Sequence, residues 1–534
     1  MRLYKPVQLI AFGLLLIPFA SVPAFAQDRD PGFAKALDSA WRSLQVPDDQ
    51  AKEALGKVLA SLPGWDRDSL GPADRLEFDA FQAWAEAEHE ARVHPILAIP
   101  PVLPTPLHDP VRFDLMNYQP LSRPSDVEAW IRRLALVPNQ LREGVHALRV
   151  AQGSDRPFPR FILVQMAGSL ESYLHTPPAF GEIAGYFRDF VVDEADRKRV
   201  VTLLEDQVYP QFRWAKAQIE DLVSRAPGGY TLCDPVSYRA LVRLFLGESV
   251  DPQVPHDQAL AELKALDIEI DALVPPGPGT PPERLWAFLK AEPLLSSEDL
   301  DWARQTGEEL RTLTARWVSS PVPDFEVRYD TSDPVSNYIR PSEDGLQPAH
   351  LNLQRGSMVK GASALSLLAH EGVPGHALQL GLQLADTDAP RFRRLAWPPS
   401  FTEGWAFYSE GLLFDSPLGN STSYRAFELD SRYAAAASVV LDTGLNALGW
   451  TYQQALAFLR KTLPGGNSVG YELAINRCLY WPAQGLSYDF GRAQLVALCD
   501  AVERALVTSF PRTPRPRPGC GRPGGPSGRS SPKI

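Results

Sequence analysis

The sequence predicts a mainly helical protein with a very small β element near residues 325–355. Apolar residues recur three and four positions apart between charged ones over most of the chain, which is the helical period. Strand-like runs are confined to FEVRYD and AHLNLQ, each set between proline and aspartate signals. With 534 residues, 44% of them hydrophobic and 22% charged, the chain is long and apolar enough for a large core.

In chain order, Arg2 and Lys5 precede an apolar run from Val7 to Phe19 and the small-x-small triplet Ala24-Phe25-Ala26. That is the pattern of a cleaved signal peptide over residues 1–26, with an uncleaved anchor as the alternative. The run is short for a membrane span, no later stretch approaches ~20 apolar residues, and no cysteine near Ala26 offers a site for lipid. A bacterial periplasmic or secreted protein without a stable membrane span is expected. Residues 33–94 then read as helices, and the proline-rich PILAIPPVLPTPLHDP separates them from a second helical stretch running from DVEAWIRRLALV to RWAKAQIEDLV. After a glycine and proline interruption, ALAELKALDIEIDAL (259–273) and DLDWARQTGEELRTLTARWV are helical again. Helix and linker lengths vary too much for a solenoid, so residues 27–510 are expected to form one helical domain with a cleft, with two lobes as the variant. The tail 511–534 is low in complexity and expected to be disordered, by an altered reading frame or natural truncation.

Acidic residues number 64 against 53 basic, a net charge of -11, and six of the basic residues lie in the tail, which leaves -17 for everything before it. Such a body repels a phosphate backbone, which argues against nucleic acid as a partner. Four cysteines exclude a disulfide-dense scaffold. Cys478 and Cys499 could form a bridge or remain buried thiols; Cys233 is isolated and Cys520 lies in the tail.

Chemistry concentrates in ALSLLAHEGVPGHALQLGLQ, residues 364–383. His370, Glu371 and His376 interrupt an apolar helical run, where a metal ion would offset the cost of placing polar groups. In the HExxH zinc motif the histidines are at i and i+4 and the glutamate is the general base. Here the second histidine is at i+6, and on a regular helix the two would point about 120° apart and rise ~9 Å. Gly372, Pro374 and Gly375 lie between them, and Pro374 removes an N–H and pushes the turn open. A break there would bring His376 back toward His370. A zinc site then needs a third ligand with the fourth position left to water. Glu403, 27 residues after His376 in SFTEGWAFYSEGLLFD, is the candidate, and Glu410, seven residues further, is placed to hold a histidine ring nitrogen.

These residues carry a resemblance. The chain resembles the bacterial family called domain of unknown function 885, itself similar to the gluzincin metallopeptidases. Its HExxPGHxLQ motif is similar to His370, Glu371, Pro374, Gly375, His376, Leu378 and Gln379, and its EGWAxYxE element to Glu403, Gly404, Trp405, Ala406, Tyr408 and Glu410. Its DTGLHxxGW element is similar to Asp442, Thr443, Gly444, Leu445, Gly449 and Trp450, and its WPGQALSYxxG element to Trp481, Pro482, Gln484, Leu486, Ser487, Tyr488 and Gly491. The resemblance implies a zincin-like helical fold with a cleft, Zn2+ held by His370, His376 and Glu403, and Glu371 taking a proton from the zinc-held water. Tyr488 is then the candidate donor to the oxyanion, or a packing tyrosine. Tyr338 and the Asp344-Gly345 turn resemble the element before the metal helix, where a strand could pair with an extended peptide, and His350 and Asn352 are candidate cleft residues. His350 could equally be a turn-adjacent surface residue.

The departures are Asn446 where the family usually has histidine, the absence of arginines ahead of Asp442, and Gln347 and His350 in place of parts of a glycine-rich turn. Arg477 could take a peptide's C-terminal carboxylate, or pair with Glu472 or Asp489. The leading expectation is a zinc metallopeptidase acting on a peptide or small amide. A non-peptidase zinc amidase or esterase, and a helical periplasmic binding protein keeping a non-catalytic metal, stand beside it.

Overall fold

The computed structural model describes residues 30–106, 109–112, 115, 121, 123–292, 300–329, 336–342, 348–354 and 361–509. The expected leader, the tail with Cys520, the Asp344-Gly345 turn and Gln347 lie outside the described residues.

Helices dominate, as the periodicity predicts. The first layer is α1 (Pro31–Ser43), α2 (Asp48–Ser61) and α3 (Pro72–Val93), whose buried Phe33, Leu37, Trp41, Phe78 and Phe81 close over Phe392 from far along the chain. Each such buried side chain contributes about 1.5–3 kcal/mol. The buried Arg393–Glu77 pair, at 2.8 Å, makes the same junction polar and specific in register. A second bundle comprises α4 (Pro124–Gln152), α5 (Arg160–Leu174), α6 (Glu182–Phe190), α7 (Glu194–Leu203), a π-helical turn Leu204–Val208, and α8 (Tyr209–Val223). Its core contains Trp130, Leu134, Ile162, Met166, Phe187 and Phe212.

Next come α9 (Pro235–Leu246), α10 (Gln253–Leu273), α11 (Pro281–Lys290) and α12 (Leu300–Thr314). Local chemistry sets the ends of α9. Asp234 accepts from the N–H groups of Val236 and Ser237, Pro235 occupies the first position, and Gly247 ends the helix at φ 78°. α10 starts six residues before the predicted 259, because Pro255 sits in the first turn, where its missing N–H costs nothing.

The β element is a three-stranded sheet of β1 (Glu326–Tyr329), β2 (Asn337–Ile339) and β3 (His350–Leu353) in the order β1-β3-β2. β3 runs parallel to β1 and antiparallel to β2, which forms an edge. Val327, Tyr338 and Leu351 share one face and join the core with Leu365 and Leu368 of the following helix. Arg328, Asn337 and Asn352 share the other.

The remaining helices carry the motifs: α13 (Gly361–Glu371), α14 (His376–Ala385), α15 (Arg391–Leu395), α16 (Pro399–Gly411), α17 (Thr422–Asn446), α18 (Tyr452–Thr462), α19 (Ser468–Tyr480) and α20 (Leu486–Ser509). α16 packs along α20, and α17 along α10. Cys478 and Cys499 are free thiols rather than a bridge, as is Cys233. The Cys499 sulfur lies 3.4 Å from the Tyr408 hydroxyl. No helix among the described residues is long and apolar enough to cross a membrane.

Candidate metal centre

α13 stops at Glu371 and α14 starts at His376, so the predicted break occupies Gly372 to Gly375, with a cis Val373–Pro374 peptide. The backbone hydrogen bonds are rerouted rather than lost. The Gly375 N–H donates to the Ala369 carbonyl and the Ala377 N–H to the Gly372 carbonyl, both at 2.9 Å. Gly375 approaches the preceding turn so closely that a Cβ there would lie 1.9 Å from the His370 carbonyl oxygen. The Trp405 indole N–H caps the break by donating to the Pro374 carbonyl at 2.9 Å. As a result the His370 and His376 rings meet edge to face, with centroids 4.8 Å apart.

α16 brings Glu403 to the same point. Its Oε2 lies 3.7 Å from Nε2 of His370 and 3.7 Å from Nε2 of His376. Ligand atoms held at 2.0–2.2 Å by a tetrahedral ion are about 3.3–3.6 Å apart, so the two distances to Glu403 are close to those of a zinc ligand set. Candidate ligand atoms of His370, Glu371 and His376 all lie within 4.8 Å of one another. Glu371 is turned aside, its Oε2 accepting from the backbone N–H of Tyr338 on β2 at 2.9 Å.

The surroundings orient the set. His370 Nδ1 lies 2.8 Å from Glu410 Oε1, which leaves Nε2 facing Glu403, and Glu410 Oε2 accepts from the Ser366 hydroxyl. The Tyr424 hydroxyl donates to the Glu410 carbonyl at 3.0 Å. His376 Nδ1 is buried and has no partner among the described residues. Burial works against charge on the His370 ring, yet Glu403 and Glu410 outweigh it and hold its pKa well above the ordinary value. Glu403 shows the counterpart: burial pushes its pKa up, and the two histidines pull it well below the carboxylate range. The pocket therefore favours positive charge at the point where these side chains converge.

The wall opposite is built by α20. Gly404 and Gly491 let α16 and α20 touch backbone to backbone, for a Cβ on Gly404 would lie 2.4 Å from Gly491 and one on Gly491 would lie 1.8 Å from the Ser400 oxygen. This crossing sets Tyr488 beside the cluster, its ring stacked on His370 at 6.3 Å and 24°. Burial, then Glu403, push the Tyr488 pKa up, which keeps its proton in place. Gln484 Nε2 donates to the Tyr488 hydroxyl at 3.3 Å, and Gln484 Oε1 accepts from Arg477 at 2.6 Å. Because arginine can only donate, it fixes the amide orientation and leaves the phenol proton free to point elsewhere.

Other candidates fall outside this cluster. Asp442 is buried and accepts from the Tyr238 hydroxyl at 2.6 Å and from the Ala483 N–H at 3.1 Å. Ala483 has φ 67°, so the carboxylate pins an unusual turn that leads into α20. Asp442 thus bears on Tyr488 through the backbone. Asn446 is fully used in the same network, accepting from Thr231 at 2.6 Å and donating to the Cys478 carbonyl at 2.9 Å. His350 is 2% exposed on the central strand, so the surface alternative fails; it and Asn352 both hydrogen-bond Arg328. Neither His350 nor Asn352 has a hydrogen bond to the histidine cluster. Arg477 pairs with neither Glu472 nor Asp489. Ser366 was not among the sequence candidates, and Tyr338 and Gln484, named only within motifs, were given no contact with Glu371 or Tyr488. Ser366, four residues before His370 on one helix face in an apolar run, is the one that spacing could have found.

Residues 32–512 match the family described as "Bacterial protein of unknown function (DUF885)", and the chain belongs to it. No curated protein is significantly similar. Among solved structures, a candidate lipoprotein from Colwellia psychrerythraea is 19% identical with a TM-score of 0.65, covering 94% of this chain and 94% of that one. A candidate lipoprotein of unknown function from Shewanella oneidensis is 14% identical with a TM-score of 0.58, covering 91% of this chain and 95% of that one. The fold is shared with both.

Proposed function

We propose that this DUF885 protein is a zinc-dependent hydrolase that cleaves peptide bonds outside the cytoplasm. The observation that carries the reading is the convergence of His370 Nε2, His376 Nε2 and Glu403 Oε2 beside the Glu371 carboxylate, which is kept apart by the β2 backbone. Zinc held by the first three residues would acidify a water molecule and polarise a carbonyl. Glu371 accepts the water proton on its free oxygen and delivers it to the leaving amine. The Tyr488 hydroxyl, its lone pair taken by Gln484, donates to the carbonyl oxygen as negative charge develops there. Glu410 keeps His370 in the tautomer with Nε2 free.

The signal-peptide pattern of residues 1–26 and the likeness to two candidate lipoproteins both support an extracytoplasmic location, in the periplasm or secreted. The test is metal analysis of the mature protein and mass-spectrometric mapping of cleavage in a mixed peptide library, with Glu371→Gln beside it. Zinc near one per chain in both proteins is expected, with cleavage reduced about 10²–10⁴-fold in the variant. Equal cleavage by both proteins, or no cleavage of peptide, ester or amide libraries by the zinc-loaded wild type, contradicts the proposal.

A further inference from the structure

Arg477 is an exposed cation at the edge of the cluster, fixed in position yet not neutralised. Its guanidinium carbon lies 5.9 Å from the Trp481 ring and 6.0 Å from the Tyr488 ring, so two aromatic faces hold it. Its hydrogen bond goes to the neutral amide of Gln484 at 2.6 Å. Among the described residues no carboxylate pairs with it, although the chain before the tail carries a net charge of -17. Asp489, close in sequence, faces Glu262, Arg432 and Arg492 instead. A guanidinium ordered by rings and an amide keeps its charge and its remaining donors for an incoming anion, and its fork matches a carboxylate.

The location says which anion. Tyr488 touches both, its ring centroid 6.0 Å from the Arg477 guanidinium carbon and 6.3 Å from the His370 ring centroid. An extended peptide advances about 3.3 Å per residue, so a carboxylate on Arg477 lies about one to three residues beyond a bond held at the histidine cluster. Trp481, 55% exposed beside the cation, offers an apolar face to the residue carrying that carboxylate.

We propose that Arg477 is a specificity-determining subsite for a free C-terminal carboxylate, so that the protein acts on peptide ends or short peptides rather than on internal bonds of long chains. This rests on the hydrolase reading, and two measurements separate the two. The first compares zinc-loaded mature wild type, Arg477→Met and Arg477→Lys on peptides identical except for a C-terminal carboxylate or carboxamide. A preference for the acid of about 10- to 100-fold in kcat/KM is expected for the wild type, the size of a bidentate charge-assisted hydrogen bond. It should collapse toward one in Arg477→Met and be partly kept in Arg477→Lys. The second measures binding of the same two peptides to zinc-loaded Glu371→Gln by calorimetry, with no turnover required. Tighter binding of the acid there upholds the subsite even if the wild type cleaves nothing, which would overturn the hydrolase reading alone. Equal binding of acid and amide, or a preference that survives Arg477→Met, overturns the subsite.

Discussion

Two buried polar networks lie on neighbouring helices and differ in how they end. Around Asp442, each partner is protein: Tyr238, the Ala483 N–H and Asn446 all donate to the carboxylate, and Asn446 is itself matched by Thr231 and the Cys478 carbonyl. Around His370, Glu410 and Ser366 complete one side, while the Nε2 atoms of His370 and His376 each lie 3.7 Å from the same Glu403 oxygen. A closed network is finished by folding, whereas one whose lone pairs converge on a shared point is finished by a ligand. The first holds a turn and the second is the one on which the proposed chemistry rests, although both contain residues from the same set of motifs.

Substitutions should separate the two. Gly375→Ala has the largest expected effect, since the new Cβ would meet the His370 carbonyl at 1.9 Å. The break must re-form, with zinc occupancy lost and stability lowered by about 3 kcal/mol or more, measured by metal analysis and denaturant unfolding. Glu410→Gln keeps the shape but weakens the hold on His370 Nδ1, and zinc affinity should fall about 10- to 100-fold in competition with a chelator. Unchanged affinity would place Glu410 with the structural network.

Asp442→Asn should have the smallest effect on the metal, leaving zinc affinity unchanged, and its signature is in stability. Burial raises the Asp442 pKa to about 7 despite the donors around it. A carboxyl whose folded pKa lies above its unfolded value of about 3.9 stabilises the fold most at acidic pH. That contribution is lost as pH rises from about 4 through 7. Wild-type stability should therefore decline across this window more steeply than that of Asp442→Asn, as followed by chemical denaturation at several pH values. A loss of zinc in Asp442→Asn would erase the contrast between the networks.

The sequence made some of this legible and hid the rest for physical reasons. Helical period is readable in the long amphipathic segments such as α1 to α5, α10 and α12, whereas α9 (Pro235–Leu246) lies in what reads as a glycine and proline interruption and the five-residue α15 is too short to show a period. The break before His376 was legible because Pro374 cannot continue a hydrogen-bond ladder, and Glu403 because aromatic neighbours mark a carboxylate that is not solvated. β2, three residues long, has no period to read, so the Tyr338 N–H that holds Glu371 could not be anticipated. Partners distant in sequence, such as Asp442 with Tyr238 or His350 with Arg328, depend on packing that no local pattern records. Arg477 had two acidic residues nearby in sequence, and only the fold turns it toward Gln484 instead.

The most direct test of the open network is zinc stoichiometry by mass spectrometry of the metal in mature wild type, His376→Ala, Glu403→Ala and Asp442→Asn. About one zinc per chain is expected in the wild type and Asp442→Asn, with little in His376→Ala and Glu403→Ala while circular dichroism shows both still folded. A wild type purified without zinc that takes up none when it is supplied, or equal zinc in all four, would contradict the account.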